Sequence, residues 1–166
     1  MTVAHEAARV QALYDLADPD SPPSQAIEAI VAEVAEVAGV PMASVNLLDS
    51  DRQCPIAPLN FPATPTPRQD AMCDVTLELG RFVLVEDARA DPRFADSPWV
   101  DGRRGEVRFY ASAPLVTQQQ YVIGTLCAFD IVPHALTDEQ VARLEELAGR
   151  VISTFEAERA ARQQSR

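Results

Sequence analysis

The residues able to do chemistry are few and fall into two groups. The first is cysteine: Cys54, Cys73 and Cys127 are the three thiols of the chain. Cys127 lies in an apolar strand and Cys73 in a segment of mixed pattern. Those settings favour inert core thiols, because free cysteine is among the most buried residue types. Cys54 follows a turn and precedes a proline, which makes it the most exposed of the three. The second group is the stretch over residues 87–110, where Asp87, Arg93, Phe94, Trp99, Arg108 and Tyr110 concentrate among further Asp and Arg residues. A loop of this kind on a rigid sheet can wall a small-molecule pocket, here with Arg93 and Arg108 as its polar side. The competing role is local. Asp and Arg can pair to hold the loop down while Phe94 and Trp99 anchor it, and for Asp87, Asp91 and Arg93 this lock is the better reading.

Other chemistries lack their residues. His5 and His134 are the only histidines, and neither has a partner at metal-ligand spacing, so no metal is expected. Six scattered glycines form neither a dinucleotide fingerprint nor a P-loop, and no nucleophile elbow is present. The chain therefore reads as a non-enzyme without a cofactor.

These residues must be carried by a mixed set of elements. Helical periodicity covers roughly residues 3–17 and ends at the DPDSPP stretch. A clearer helix starts at the cap Ser24, runs an apolar stripe through Ile27, Ile30, Val31, Val34 and Ala38, and stops at Gly39 and Pro41. Residues 43–49 form a buried strand. The Pro-rich stretch after Cys54 reads as a long loop, since proline suits neither a helix nor a central strand. Residues 68–79 hold a short helix at most, and residues 82–86 a strand. Residues 108–116 and 121–129 make a hairpin about the TQQQ turn. The last helix is framed by a Thr137–Gln140 capping box, with Asp138 and Glu139 set against the positive end of its dipole. Its stripe of Val141, Leu144, Ala148, Val151 and Phe155 can pack on the sheet and also on a second subunit. Strands joined by short turns, with helices at the ends, make an antiparallel α+β sheet.

Composition narrows the partners. A length of 166 residues suits one domain over residues 1–166, with a core over about 3–156 and a polar helical tail over 157–166. The net charge of −11 opposes nucleic acid and anionic membrane surfaces, which both attract clustered positive charge. No apolar run is long enough to span a bilayer, and the start of the chain lacks the pattern of a signal peptide, so a cytoplasmic location is expected. Every basic residue is arginine, a bias shared with the heavy use of Ala and Val and carrying no function by itself.

Five ordered motifs carry a resemblance. DRQ at residues 51–53, PR at 67–68 ahead of Cys73, VEDARADPRFADSPWV at 85–100, RFYASAPL at 108–115 and IGTLCAFD at 123–130 are together similar to a GAF domain. The branch they resemble is found in bacterial sensor kinases and diguanylate cyclases, and the likeness covers nearly the whole chain. It implies a central antiparallel sheet of five or six strands. The N- and C-terminal helices would lie on one face, with loops and short helices over a ligand cavity on the other. It also implies a homodimer through the terminal helices and a signal passed to a downstream signalling protein. The departures are specific. A chain without lysine lacks the cyclic-nucleotide signature of the family, and Asp74 and Val75 follow Cys73 where bilin-binding relatives carry histidine. Neither histidine is placed for haem, and the cysteine motifs of the free methionine sulfoxide reductases do not match.

The resulting expectation is a regulatory module binding an unidentified small ligand near Cys73, Asp87, Arg93, Phe94, Trp99, Arg108, Tyr110 and Cys127. One alternative is a thiol redox sensor or reductase using Cys73 and Cys127 with Cys54 as resolving thiol, which requires Cα atoms within about 7 Å. Another is a ligand-free dimerisation unit.

Overall fold

The computed structural model of the protein describes residues 2–165. Met1 and Arg166, the end residues of the expected domain and tail, lie outside the described residues. In chain order the elements are α1 (Val3–Leu16), α2 (Gln25–Ala38), β1 (Met42–Leu48), β2 (Arg52–Leu59), β3 (Thr66–Pro67), α3 (Cys73–Leu79), β4 (Val83–Val85), β5 (Phe109–Val116), β6 (Val122–Asp130) and α4 (Asp138–Gln164). The strands form one sheet in the order β3-β2-β1-β6-β5-β4, and every neighbouring pair is antiparallel.

Local chemistry sets the helix ends where the sequence marks them. Ser24 accepts from the Ile27 amide at the start of α2, and Gly39 ends it in the left-handed conformation at φ 70. Thr137 and Gln140 cap each other at the start of α4 as a full capping box. The polar tail continues as helix to Gln164, well past Phe155, the last residue that α4 buries.

Two-residue alternation divides the core. Ala43, Val45 and Leu47 of β1, Phe109, Ala111, Ala113 and Leu115 of β5, and Leu126 and Ala128 of β6 pack with buried residues of α1, α2 and α4. Their alternates, among them Tyr110 and Cys127, join a second cluster with Met72, Cys73, Leu77, Phe94 and Val100. The three long helices therefore share one face. The other is covered by α3 and by the long connection between β4 and β5.

The first part of the Pro-rich stretch departs from its expectation as a loop, while residues 60–65 lie in neither strand nor helix as expected. Residues 52–59 are β2, paired along β1 from Leu48↔Gln53 to Ala43↔Leu59. Proline is tolerated because β3 pairs only with Arg52 and Gln53. From Cys54 onward β2 is a sheet edge, where a missing N–H costs little. The pairing slips between Ala43 and Val45, and Ala57 at φ 54 takes up the bulge.

Candidate functional site

Beneath the covering face lies a cavity of about 50 Å³, lined by Ser44, Asn46, Gln53, Phe61, Met72, Cys73, Trp99, Val107, Tyr110, Cys127 and Phe129. Its floor is the sheet. Ser44 and Asn46 line it from β1, Tyr110 from β5 and Cys127 from β6, with Thr125 of β6 bonded to Asn46 beside them. Aromatic and aliphatic side chains from the connecting segments form the roof. The lining holds no Asp, Glu, Lys, Arg or His side chain.

Asn46 organises the floor. Its Nδ2 donates to Cys127 Sγ at 3.0 Å, to Cys73 Sγ at 3.4 Å and to Thr125 Oγ1 at 3.5 Å. Its Oδ1 accepts from the Ser44 hydroxyl at 2.9 Å. Gly124 is what lets β6 approach. A Cβ there would stand 2.1 Å from the Asn46 carbonyl oxygen, so only glycine permits this register.

Cys73 opens α3 and meets the floor from above. Its sulfur takes hydrogen bonds from Thr125 Oγ1 at 3.0 Å and from the Tyr110 hydroxyl at 2.9 Å, besides that from Asn46. Burial raises the Cys73 thiol, but hydrogen bonds from Cys127, Thr125, Tyr110 and Asn46 outweigh it and hold the group below its ordinary value. Cys127 shifts the other way, pushed well up by its hydrogen bond to Cys73 and by burial. Burial and the neighbouring thiols likewise raise Tyr110, so its phenol keeps its proton and donates.

Among the described residues, one buried side-chain polar atom has no partner. The Oε1 of Gln53, a lining residue, is buried without a hydrogen bond. A buried acceptor left unsatisfied costs about 1–3 kcal/mol, which a donor entering the cavity would recover.

The expected site residues divide. Cys73, Trp99, Tyr110 and Cys127 line the cavity. Phe94 stands behind it, edge-on to Tyr110 at 5.5 Å. Asp87, Arg93 and Arg108 are engaged elsewhere. Asp87 binds Arg89, and Arg93 pairs with Asp91 at 2.7 Å. Arg108 donates to the carbonyls of Val100 and Val107. Arg93 and Arg108 thus stand outside the lining of this cavity, and in the Asp87–Arg89 and Asp91–Arg93 pairs residues two apart on a tight turn satisfy each other, as in the local lock. Cys54 is corrected twice. It is 3 % exposed, and it faces a separate groove with Pro19, Val31 and Ile56, on the α2 side of the sheet. The sheet stands between it and the other two thiols.

Sequence reading missed Ser44, Asn46, Gln53 and Thr125, and it missed Arg9. That guanidinium is fully buried. It donates to the carbonyls of Leu48 at 2.7 Å, Val122 at 3.2 Å and Asp49 at 3.3 Å, and to Glu6. Glu6 also holds Arg68, which binds Asp74 beside Cys73. A chain of charged contacts therefore runs from the first turn of α3 to α1. Among the described residues no group of three or more His, Cys, Asp and Glu side chains could hold a metal ion, and no helix is long and apolar enough to cross a membrane.

Sheet order, helices on one face and a roofed cavity on the other define an α+β domain built around a buried polar site. The chain matches the family model of the GAF domain over residues 22–154, and it belongs to that family. A cyclic di-GMP phosphodiesterase of Pseudomonas aeruginosa is 40% identical over 115 residues, 68% of this chain and 19% of that protein. The chain thus spans about a fifth of that relative's length. Among solved structures it is similar to the GAF domain of a phosphoenolpyruvate-protein phosphotransferase from Coxiella burnetii, with a TM-score of 0.68, 14% identity, and coverage of 97% of this chain and 98% of that one. It is also similar to free methionine-R-sulfoxide reductase from Neisseria meningitidis in complex with its substrate, with a TM-score of 0.65, 21% identity, and coverage of 94% and 89%. At such identities these two structures show a shared fold.

Proposed function

We propose that the chain is a regulatory sensory module whose cavity takes a small, uncharged molecule with a hydrogen-bond donor. The observation that carries this reading is Gln53 Oε1, a buried acceptor without a partner on a cavity wall that holds no Asp, Glu, Lys, Arg or His. A volume of about 50 Å³ fits a few heavy atoms, well below the 300–1,000 Å³ typical of drug-sized ligands. Likeness to part of a cyclic di-GMP phosphodiesterase supports a place in signalling.

Transmission follows the Asp74–Arg68–Glu6–Arg9 contacts from α3 to α1. A ligand would act by favouring one packing of the terminal helices, as any switch requires. Those helices also supply the pairing surface of a homodimer. The support is that α4 runs on to Gln164, where Arg162 reaches the Leu16 carbonyl at the end of α1. Sedimentation of the protein, with and without a bound compound, is expected to show a dimer.

The test of the ligand class is thermal shift with a panel of small neutral amides, ureas and alcohols beside a matched panel of carboxylates and phosphates. Neutral donors are expected to raise the melting temperature of the wild type, and Gln53→Leu is expected to lose the shift. Stabilisation by anions that disappears in Arg93→Ala or Arg108→Ala would return the site to the arginines.

A further inference from the structure

We propose that Cys73 and Cys127 are an oxidisable dithiol, converted to an intramolecular disulfide by a small hydroperoxide that enters the cavity. This goes beyond the ligand reading and does not require a neutral molecule to bind. Three observations carry it. The two sulfurs share a donor, both within 3.4 Å of the one Asn46 Nδ2. Their surroundings are unequal: Thr125, Tyr110 and Asn46 all direct donors at Cys73, while Cys127 is met by Asn46 and Ser44. Both line a cavity of about 50 Å³, room enough for a two-oxygen oxidant.

The inequality assigns the roles. Donors converging on Cys73 stabilise its thiolate, and the thiolate is the nucleophile. It attacks one peroxide oxygen, forming an S–O bond as the O–O bond breaks. The sulfur loses two electrons to the peroxide, and the departing hydroxide takes a proton to become water. The result is a sulfenic acid on Cys73. Cys127 gives up its proton and attacks that sulfur. An S–S bond forms, the S–O bond breaks, and the hydroxyl leaves with the proton as a second water. Two thiols and one hydrogen peroxide thus yield one disulfide and two waters.

Location gives the reaction a consequence. Cys73 is the first residue of α3, and Asp74 beside it holds Arg68. Drawing Cys73 onto the sheet disturbs the contacts that reach α1. Cys54, across the sheet, takes no part.

The experiment is treatment of the full chain with hydrogen peroxide, followed by alkylation in denaturant and peptide mass spectrometry without reductant. The expected product has lost two hydrogens, links the Cys73 and Cys127 peptides, leaves Cys54 alkylated, and reverts with dithiothreitol. Cys127→Ser is expected to hold Cys73 as a sulfenic acid that a cyclic 1,3-diketone captures. Tyr110→Phe is expected to slow wild-type oxidation about tenfold, the worth of one hydrogen bond to the thiolate. If Cys127→Ser does not fold, the cross-link in the wild type decides alone. A product in which Cys54 is consumed first overturns the proposal. So does oxygen addition without linkage, or a Cys73–Cys127 pair that stays fully alkylated.

Discussion

Replacing Arg9 by methionine keeps an unbranched stem of similar length in the same buried slot and removes the guanidinium. Three backbone carbonyls, of Leu48, Asp49 and Val122, then lose their donor together. Hydrogen bonds to charged groups contribute about 1.5–3 kcal/mol each, but three in one cluster are not additive. Glu6 keeps Arg68 as a partner, so the carboxylate is not left alone. Some of the loss is recovered because the large cost of desolvating a guanidinium disappears as well. The balance is a loss of about 3 kcal/mol, or roughly 6–12 °C in melting temperature for a chain of this size. Urea unfolding checks it, with the midpoint falling and the slope unchanged. Arg9→Lys, which can still reach one carbonyl, is expected to lose about half as much. An Arg9→Met protein within about 1 kcal/mol of wild type would refute the view that this side chain ties α1 to the sheet ends.

Two other predictions follow from the same geometry. Gly124→Ala places a Cβ against the Asn46 carbonyl, and since backbone cannot yield as a side chain does, a loss of about 3 kcal/mol or failure to fold is expected in denaturation experiments. The Glu6 carboxyl is held below its ordinary value of 4.5 by hydrogen bonding to Arg9, against burial and with help from Arg68. A lowered folded-state value means that its stabilisation is full above about 4.5 and disappears as pH falls through the lower folded value. The stability gap between wild type and Glu6→Gln is therefore expected to be constant near neutrality and to close under acid; a gap that widens under acid contradicts the assignment.

How much of this was legible in the sequence depends on whether the signal was local. Caps are local, so the Ser24 start of α2 and the Thr137–Gln140 box of α4 read correctly. The turn between β5 and β6 is local too, closed by the Gln120 amide on the Thr117 carbonyl. The strand at residues 52–59 is not, because whether proline fits depends on which neighbour lies beyond it, and that is a property of the sheet order. The site failed for a similar reason. Reading by composition favours the conspicuous Asp and Arg residues at 87–110, yet those with a carboxylate two residues away satisfy each other on the surface. The polar floor carried a quieter signal: Ser44 and Asn46 alternate with Val45 and Leu47, and Thr125 and Cys127 alternate with Leu126 and Ala128. Period-two placement of lone polar residues in apolar strands marks one shared face, and could have found them. Nothing in the sequence marks Arg9 as buried, since its partners are carbonyls about 40 and more than 100 positions away.

The whole account turns on a cavity that receives a donor at Gln53. A crystal structure of the protein as purified from cells, refined far enough to place individual atoms between Gln53, Asn46 and Trp99, tests this most directly. Ordered density within hydrogen-bonding distance of Gln53 Oε1, contributed by a molecule other than the protein, is the predicted result. A cavity closed by its own side chains, with the Gln53 amide turned onto a protein donor, would contradict it.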